Sequence, residues 1–313
     1  MKKLQVLFIV NPASAGGKTK QRFKEISKKI NKELIDETIF YTKKSGCAMD
    51  YAKKAALDGN FDVIVSVGGD GTANEIINGL INSEVPYESL PAFTILPSGT
   101  GSDSVRTLGI PKEIESFFEI VVANKTQSID VGVAKFTLVN NEMKQRYFLN
   151  ACDLGIGATV AHAVNSMNQD REKKSGKSKY FRSIMKQVFK FKTFDATYVM
   201  NGESFEIKKT VIVAICNGMF FGGGVKVSPL SKMNDSSIEL LATTNLSKSA
   251  LLGVVSKVYS GAHLGHKKVI FKQATTFTVI PDKPQLLETD GEVAGLVKEA
   301  SFNLIEAPLK VLF

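Results

Sequence analysis

Short, almost uninterrupted apolar runs recur through the first 125 residues. Each is closed by a glycine- or asparagine-rich turn and followed by apolar positions at helical spacing. Leu4 to Val10 reads as a buried strand. After the loop Asn11 to Gly17, the positions Phe23, Ile26, Ile30 and Leu34 fall on one face and predict a helix over Lys18 to Leu34. Glu37 to Tyr41 predicts a second strand, Cys47 to Leu57 a second helix ended by Asp58-Gly59, and Phe61 to Val67 a third, β-branched strand. The turn Gly68-Gly69-Asp70-Gly71-Thr72 follows at once, and helical spacing resumes over Ala73 to Ile81. Ala92 to Leu96 is a fourth strand, closed by Pro97 to Gly101. Strands alternating with helices predict an α/β N-terminal domain with a parallel sheet.

Beyond a helix over Ile114 to Val122 the pattern changes. Strand-like runs dominate: Ser128 to Val133, Arg146 to Ala151, Asp195 to Met200, Phe205 to Ile215, Ser237 to Ala242, Val269 to Phe271 and Thr275 to Ile280. They predict a mainly β C-terminal sandwich domain. The expected division is a first domain over 1–125 and a β-rich domain over 126–305. A last strand, Leu309 to Phe313, is available to complete the first domain with 306–313.

Composition narrows the class without naming it. At 313 residues two domains are the default, and 43% apolar with 23% charged residues describes an ordinary globular chain. No apolar run approaches the roughly 18 residues that span a bilayer. Lys2 and Lys3 precede an apolar run that Gln5 interrupts and Asn11-Pro12 ends, which suits a buried strand better than a secretory signal. Cys47, Cys152 and Cys216 are scattered, with no CxxC pair, and fit a reducing cytoplasm. His162, His263 and His266 lie near no nucleophile-elbow pattern. The net charge of +9 is concentrated: residues 171–192 hold nine Lys/Arg against the single acid Glu172.

The chemistry lies in three turns. A turn between a buried strand and a helix is an anion site, because unpaired amides and the positive end of the helix dipole point outward. Glycines in 68–72 admit phosphate oxygens closely. Asp70 would repel such a ligand unless a cation lies between them, which suggests Mg²⁺. Asn11 to Lys18 closes strand one and Pro97 to Asp103 follows strand four. In an open parallel sheet, turns at the carboxyl ends of strands share one crevice. Gly17-Lys18-Thr19 is not a P-loop tail, since the first glycine of that motif would fall at Pro12.

These residues carry a resemblance. The strings NPASAGGK, GGDGTANEIINGL and PSGTGSD, then Cys216-Asn217-Gly218 with Gly222-Gly223-Gly224 and Ser228-Pro229, and finally Asp290-Gly291-Glu292, resemble in order the catalytic domain of diacylglycerol kinases, sphingosine kinases and bacterial lipid kinases. The resemblance covers essentially the whole chain. It implies an NAD-kinase/phosphofructokinase-like first domain binding ATP, and a lipid substrate, most naturally diacylglycerol, entering from the membrane surface. By matching position, Asn11, Thr42, Gly68, Gly69, Asp70, Gly71, Thr72, Asn74 and Thr100 would contact ATP. Asp70 and Asp103 would join a Mg²⁺–water network with Lys18 nearby, and Asp290 or Glu292 would be the general base.

The resemblance also implies a structural Mg²⁺ held by Asp235 and the backbone carbonyls of Lys232 and Ser237. Ser236 stands there where glycine is usual, and Ser102 and Ser104 replace the usual asparagine and aromatic of the third loop. These departures keep open a nucleotide- or lipid-binding regulator without catalysis, and GGDGT alone keeps open an NAD kinase. In the basic segment, Phe181, Ile184, Met185 and Val188 share one helical side while Arg182, Lys186 and Lys190 recur at i+4. Such a helix suits an anionic bilayer at the inner face of the membrane, or equally a core-facing stripe with a solvated basic face. No nucleic-acid module accompanies the charge. A homodimer is compatible with the chain.

Overall fold

The computed structural model describes residues 2–97, 102–169 and 190–313. The predicted parallel half is present: β1 (Leu4–Val10), α1 (Thr19–Ser27), β2 (Ile35–Tyr41), α2 (Cys47–Asp58), β3 (Val63–Val67), α3 (Asp70–Ile81), β4 (Ala92–Ile95), α4 (Asp103–Leu108) and α5 (Ile114–Ala123). The strands lie in the order β4-β3-β1-β2, all parallel. Val6 to Val10, Val63 to Val65 and Phe93 are wholly buried, as expected of a sheet covered on both faces.

Two helices differ from expectation. α1 stops at Ser27, because the chain turns instead through Asn31, whose Oδ1 accepts the Glu33 amide at 2.9 Å. α3 begins at Asp70 rather than Ala73, with Gly69 as its N-cap. The glycine turn is therefore itself the first turn of the helix.

The second half contains β5 (Thr126–Leu138), β6 (Met143–Phe148), β7 (Ala151–Gly155), α6 (Ile156–Gln169), β8 (Phe194–Met200), β9 (Glu203–Thr210), β10 (Ile212–Cys216), β11 (Ile238–Thr243), α7 (Lys248–Val258), β12 (Val269–Ala274), β13 (Thr276–Pro281), β14 (Gln285–Thr289) and β15 (Glu292–Leu312). The run read as one strand from Phe205 to Ile215 is two strands, parted near Lys209, whose φ is +51°. α4, α6 and α7 go beyond the elements the pattern predicts. The basic segment lies almost wholly outside the described residues. Phe148, Tyr198, Phe277 and Phe302 fill one cluster between the sheet layers, and Ala151, Ala214, Cys216 and Leu241 face a second cluster with Val254 of α7.

β15 ties the halves together. It pairs antiparallel with β14, β13 and β5, and at Val311 it pairs in parallel with Phe93 of β4. Its register against β5 shifts between Ile305 and Leu309, where Ala307 takes a φ of +46° and donates its amide to Asp130.

α2 and α3 cross closely at Gly79, where an added Cβ would meet the Met49 carbonyl oxygen at 2.2 Å. Backbone there has no room to yield. Gly79→Ala is expected to lower stability by about 1–3 kcal/mol, read as a fall in the denaturation midpoint. An unchanged midpoint would contradict that packing.

Candidate active site

The carboxyl ends of β1, β2 and β3 lie side by side, where an open parallel sheet forms its crevice. The Asn11 amide donates to Val67 and the Thr42 amide to Val10, each at 2.9 Å, so the exits of the first three strands are stitched side by side. Asn11 Nδ2 donates to Thr72 Oγ1 at 3.1 Å. Gly68 lies beneath that hydroxyl, and a Cβ there would approach Thr72 Oγ1 to 2.4 Å. Lys18 is exposed at the edge. Thr100 lies outside the described residues.

Asp70 faces α4. Its Oδ1 accepts from Ser102 Oγ at 3.1 Å and the Ser104 amide at 3.0 Å, and its Oδ2 from the Asp103 amide at 3.0 Å. The carboxylate thus satisfies the open amides that begin a helix. Ser102, the unusual residue, serves twice, because its Oγ also accepts the Val105 amide. Ser104 Oγ accepts from Asn150 Nδ2 at 2.8 Å. Both departures from the family pattern are hydrogen-bonded into the site.

Asp103 reaches the other half. It accepts the Gly223 and Gly224 amides at 2.7 and 2.6 Å, and Arg106 lies 3.3 Å away. Burial pushes its carboxyl above the ordinary range; the Gly223 amide opposes this, the Asp70 charge adds to it, and the Gly224 amide and Arg106 pull it back. Gly224 has a φ of +96° and would bring a Cβ within 3.0 Å of the Arg106 guanidinium, so glycine is required there twice over.

Asp290 and Glu292 stand on one turn with different surroundings. Asp290 is buried, with a φ of +48°. Its Oδ1 accepts the Asn150 and Ala151 amides at 2.9 and 3.1 Å; its Oδ2 accepts the Leu149 amide at 2.6 Å and Asn74 Nδ2 at 2.9 Å. Burial raises its pKa and those donors lower it. Four donors occupy the acceptor capacity of a carboxylate. Glu292 is exposed at the mouth, and its Oε1 is 3.1 Å from where a Cβ on Gly71 would sit. Desolvation raises its pKa, Arg146 lowers it and Glu75 raises it again.

Residues that pattern reading missed hold this geometry. Asn78 donates to the Asn74 side chain and the Tyr147 carbonyl and accepts the Tyr147 amide, pinning α3 to β6. Its signal was its place four residues after Asn74, on the same helical face. Asn150 accepts the Asn217 and Gly218 amides on its carbonyl, each at 2.8 Å. Glu75 accepts the Gly46 and Ala48 amides that begin α2. No spacing in the sequence announces either contact.

The 232–237 turn forms with serine. Ser236 takes the left-handed conformation at φ +58°, at a cost of roughly 1–2 kcal/mol, and donates its amide to Asp130 at 2.9 Å. Asp235 Oδ1 accepts the Ser237 hydroxyl at 2.7 Å and amide at 3.2 Å. Among the described residues no group of three or more His, Cys, Asp or Glu stands together as a metal cluster. A magnesium ion would therefore rely on carbonyls, water and phosphate oxygens beside one or two carboxylates, which is its ordinary habit. Asp70 and Asp103 each receive three donors, so one further acceptor position on each suits contact through water.

A parallel α/β half with glycine-rich turns at its strand ends, followed by a mostly β sandwich half bearing an acidic turn, is a fold of the NAD-kinase type. Residues 5–134 match the diacylglycerol kinase catalytic domain and residues 150–312 the YegS C-terminal NAD kinase beta sandwich-like domain. The chain belongs to the diacylglycerol kinase catalytic-domain family. It is 26% identical to a diacylglycerol kinase of Bacillus subtilis (strain 168) over 306 residues, covering 97% of this chain and 94% of that one. It is 26% identical to a diacylglycerol kinase of Staphylococcus saprophyticus over 297 residues, covering 95% and 91%. A solved chain of Bacillus anthracis str. Sterne, provisionally named a diacylglycerol kinase, superposes with a TM-score of 0.77 at 25% identity, over 100% of this chain and 96% of that one. Yeast NADH kinase, at 11% identity and a TM-score of 0.51 over 99% and 83%, shares the fold alone.

The bond from Asp103 to the 223–224 amides has a measurable weight. Asp103→Ala leaves the Gly223 and Gly224 amides without their charged partner and is expected to cost about 1–3 kcal/mol. Limited proteolysis should cut 220–226 faster in the variant. Equal cleavage rates would mean that the segment does not depend on this carboxylate.

Proposed function

We propose that this chain is an ATP-dependent lipid kinase that transfers the γ-phosphate to the hydroxyl of diacylglycerol, yielding phosphatidic acid. The observation that carries the reading is Glu292 facing Gly71, which brings an exposed carboxylate over the first turn of the phosphate-cradling helix. The domain over 1–125, with 306–313, holds the nucleotide; the domain over 126–305 receives the lipid.

In this reading Asn11, Thr42, Gly68, Gly69, Gly71, Thr72, Asn74 and Thr100 line the nucleotide, and Lys18 approaches its phosphates from the rim. Asp70 and Asp103 hold Mg²⁺ through water, and the ion, when bound, neutralises charge on the phosphates. Lys232, Asp235 and Ser237 supply a second, structural magnesium site. Phosphoryl transfer needs mainly positioning and charge neutralisation, plus a base for the acceptor proton. Glu292 is that base. Asp290, filled by four donors, instead anchors the turn that presents it. Ser102, Ser104 and Ser236, the departures that favoured a non-catalytic regulator, each make hydrogen bonds that support the site.

Purified protein with ATP and Mg²⁺ should phosphorylate diacylglycerol in a panel containing sphingoid and prenol lipids and NAD. Glu292→Gln should lower kcat by about 10²–10⁴-fold. A base acts ionised, and this carboxyl is raised above its ordinary value, so kcat/KM should rise with pH through a midpoint above that of a free glutamate. No labelled lipid, or NADP as the product, would reject the reading.

Among the described residues no helix is long and apolar enough to cross a membrane. The basic segment 171–192 offers peripheral contact with the inner, anionic leaflet, at roughly 1 kcal/mol per basic residue near the surface. Liposome sedimentation should require anionic lipid and weaken with salt. Binding that ignored both would exclude this contact.

A further inference from the structure

Two acids that the reaction does not use face each other inside the sheet. Asp153 of β7 and Glu288 of β14 are direct cross-strand partners, and both are wholly buried. Directly opposed residues of an antiparallel pair have side chains about 4.5–5.5 Å apart at Cβ. No lysine or arginine forms an ion pair with either among the described residues. Two ionised carboxylates so placed would repel strongly, with no neighbouring cation to offset them.

Their hydrogen bonds divide in a telling way. Asp153 Oδ1 accepts the Ala158 amide at 2.7 Å, in the first turn of α6. Glu288 Oε2 accepts the Gly291 amide, at the centre of the acidic turn. The remaining oxygens, Asp153 Oδ2 and Glu288 Oε1, are buried and have no other donor. A single proton between them satisfies both, one carboxyl donating to the other carboxylate. Gly157 permits this closeness, since a Cβ there would lie 2.3 Å from Asp153 Oδ2.

We propose that Asp153 and Glu288 share one proton and act as a positioning pair, linking the start of α6 to the Asp290-Gly291-Glu292 turn and fixing the aim of Glu292. The catalytic part of this rests on the lipid-kinase reading above; the shared proton does not. Burial raises both acids, Asp153 to about 7 with the Glu288 hydrogen bond opposing, and Glu288 with the Asp153 and Asp290 charges adding. The other titratable groups coupled to the pair are Cys152 on β7 itself, Cys216 on β10 and Asp290 at the turn, and none is a cation.

The test uses the full chain and two kinds of readout. Glu288→Leu removes the link, and the expected result is a kcat lower by about 10–100-fold with an unchanged KM for ATP. Glu288→Gln keeps an oxygen for the Gly291 amide and offers an N–H to Asp153, so it should recover kcat to within about threefold of the parent and slow the 289–293 amide exchange that Glu288→Leu accelerates. Carboxyl-carbon NMR of the parent should show the two acids titrating as one coupled pair, with one proton retained at pH values where free carboxyls are ionised. Independent titration at ordinary carboxyl values, or a glutamine variant as impaired as the leucine one at equal thermal stability, would overturn the proposal. If no lipid is phosphorylated at all, the NMR and exchange measurements still decide it.

Discussion

Backbone amides that no regular structure can satisfy converge on buried and half-buried carboxylates, and this pairing organises the molecule. A helix start or a tight turn leaves N–H groups open, and burying them unpaired costs about 1–3 kcal/mol each. Here acids from distant elements take them up. Asp70 closes α4, Glu75 closes α2, Asp103 gathers 223–224, Asp130 gathers 236 and 307, and Asp290 gathers 149–151. Every one of these bonds joins parts of the chain that are far apart in sequence. The crevice is therefore a by-product of solving a hydrogen-bonding problem, and the acids that line it come with their orientation already set.

The same pairing assigns different roles to similar side chains. Asp290 and Glu292 are two residues apart, yet one is saturated with donors and the other stands exposed with an arginine and a glutamate nearby. A carboxylate whose lone pairs are filled is a structural anchor. One whose lone pairs face the crevice can exchange a proton. Hydrogen-bond occupancy separates the two, where residue type and spacing do not.

The parallel half was legible because its strands are wholly apolar and its turns are rich in glycine, as with Val63 to Val67 running into Gly68-Gly69. The helix start at Asp70 was hidden, because glycines read as loop even when the next residues supply the first helical turn. β15 was read only at its end, since Gly295 and Pro308 interrupt an alternation that the neighbouring strands sustain. α6 was masked by its own Gly157 and by the strand-like run before it. For the site, the motif residues come together where the strands end, but Asn78, Asn150, Asp153 and Glu288 act through partners up to 140 residues away and leave no local trace. Asp153 and Glu288 even look like errors in otherwise apolar strands until the fold sets them opposite each other.

β15 and β5 cross from one half of the sheet to the other as a hydrogen-bonded pair, and their register shifts between Ile305 and Leu309, where Asp130 holds the Ala307 amide. A single-strand linker would let two lobes swing apart like a jaw. A two-strand ribbon resists bending in its own plane and yields mainly to twist, most readily at a bulge. Such a ribbon favours twist of one half against the other over a hinge-like opening.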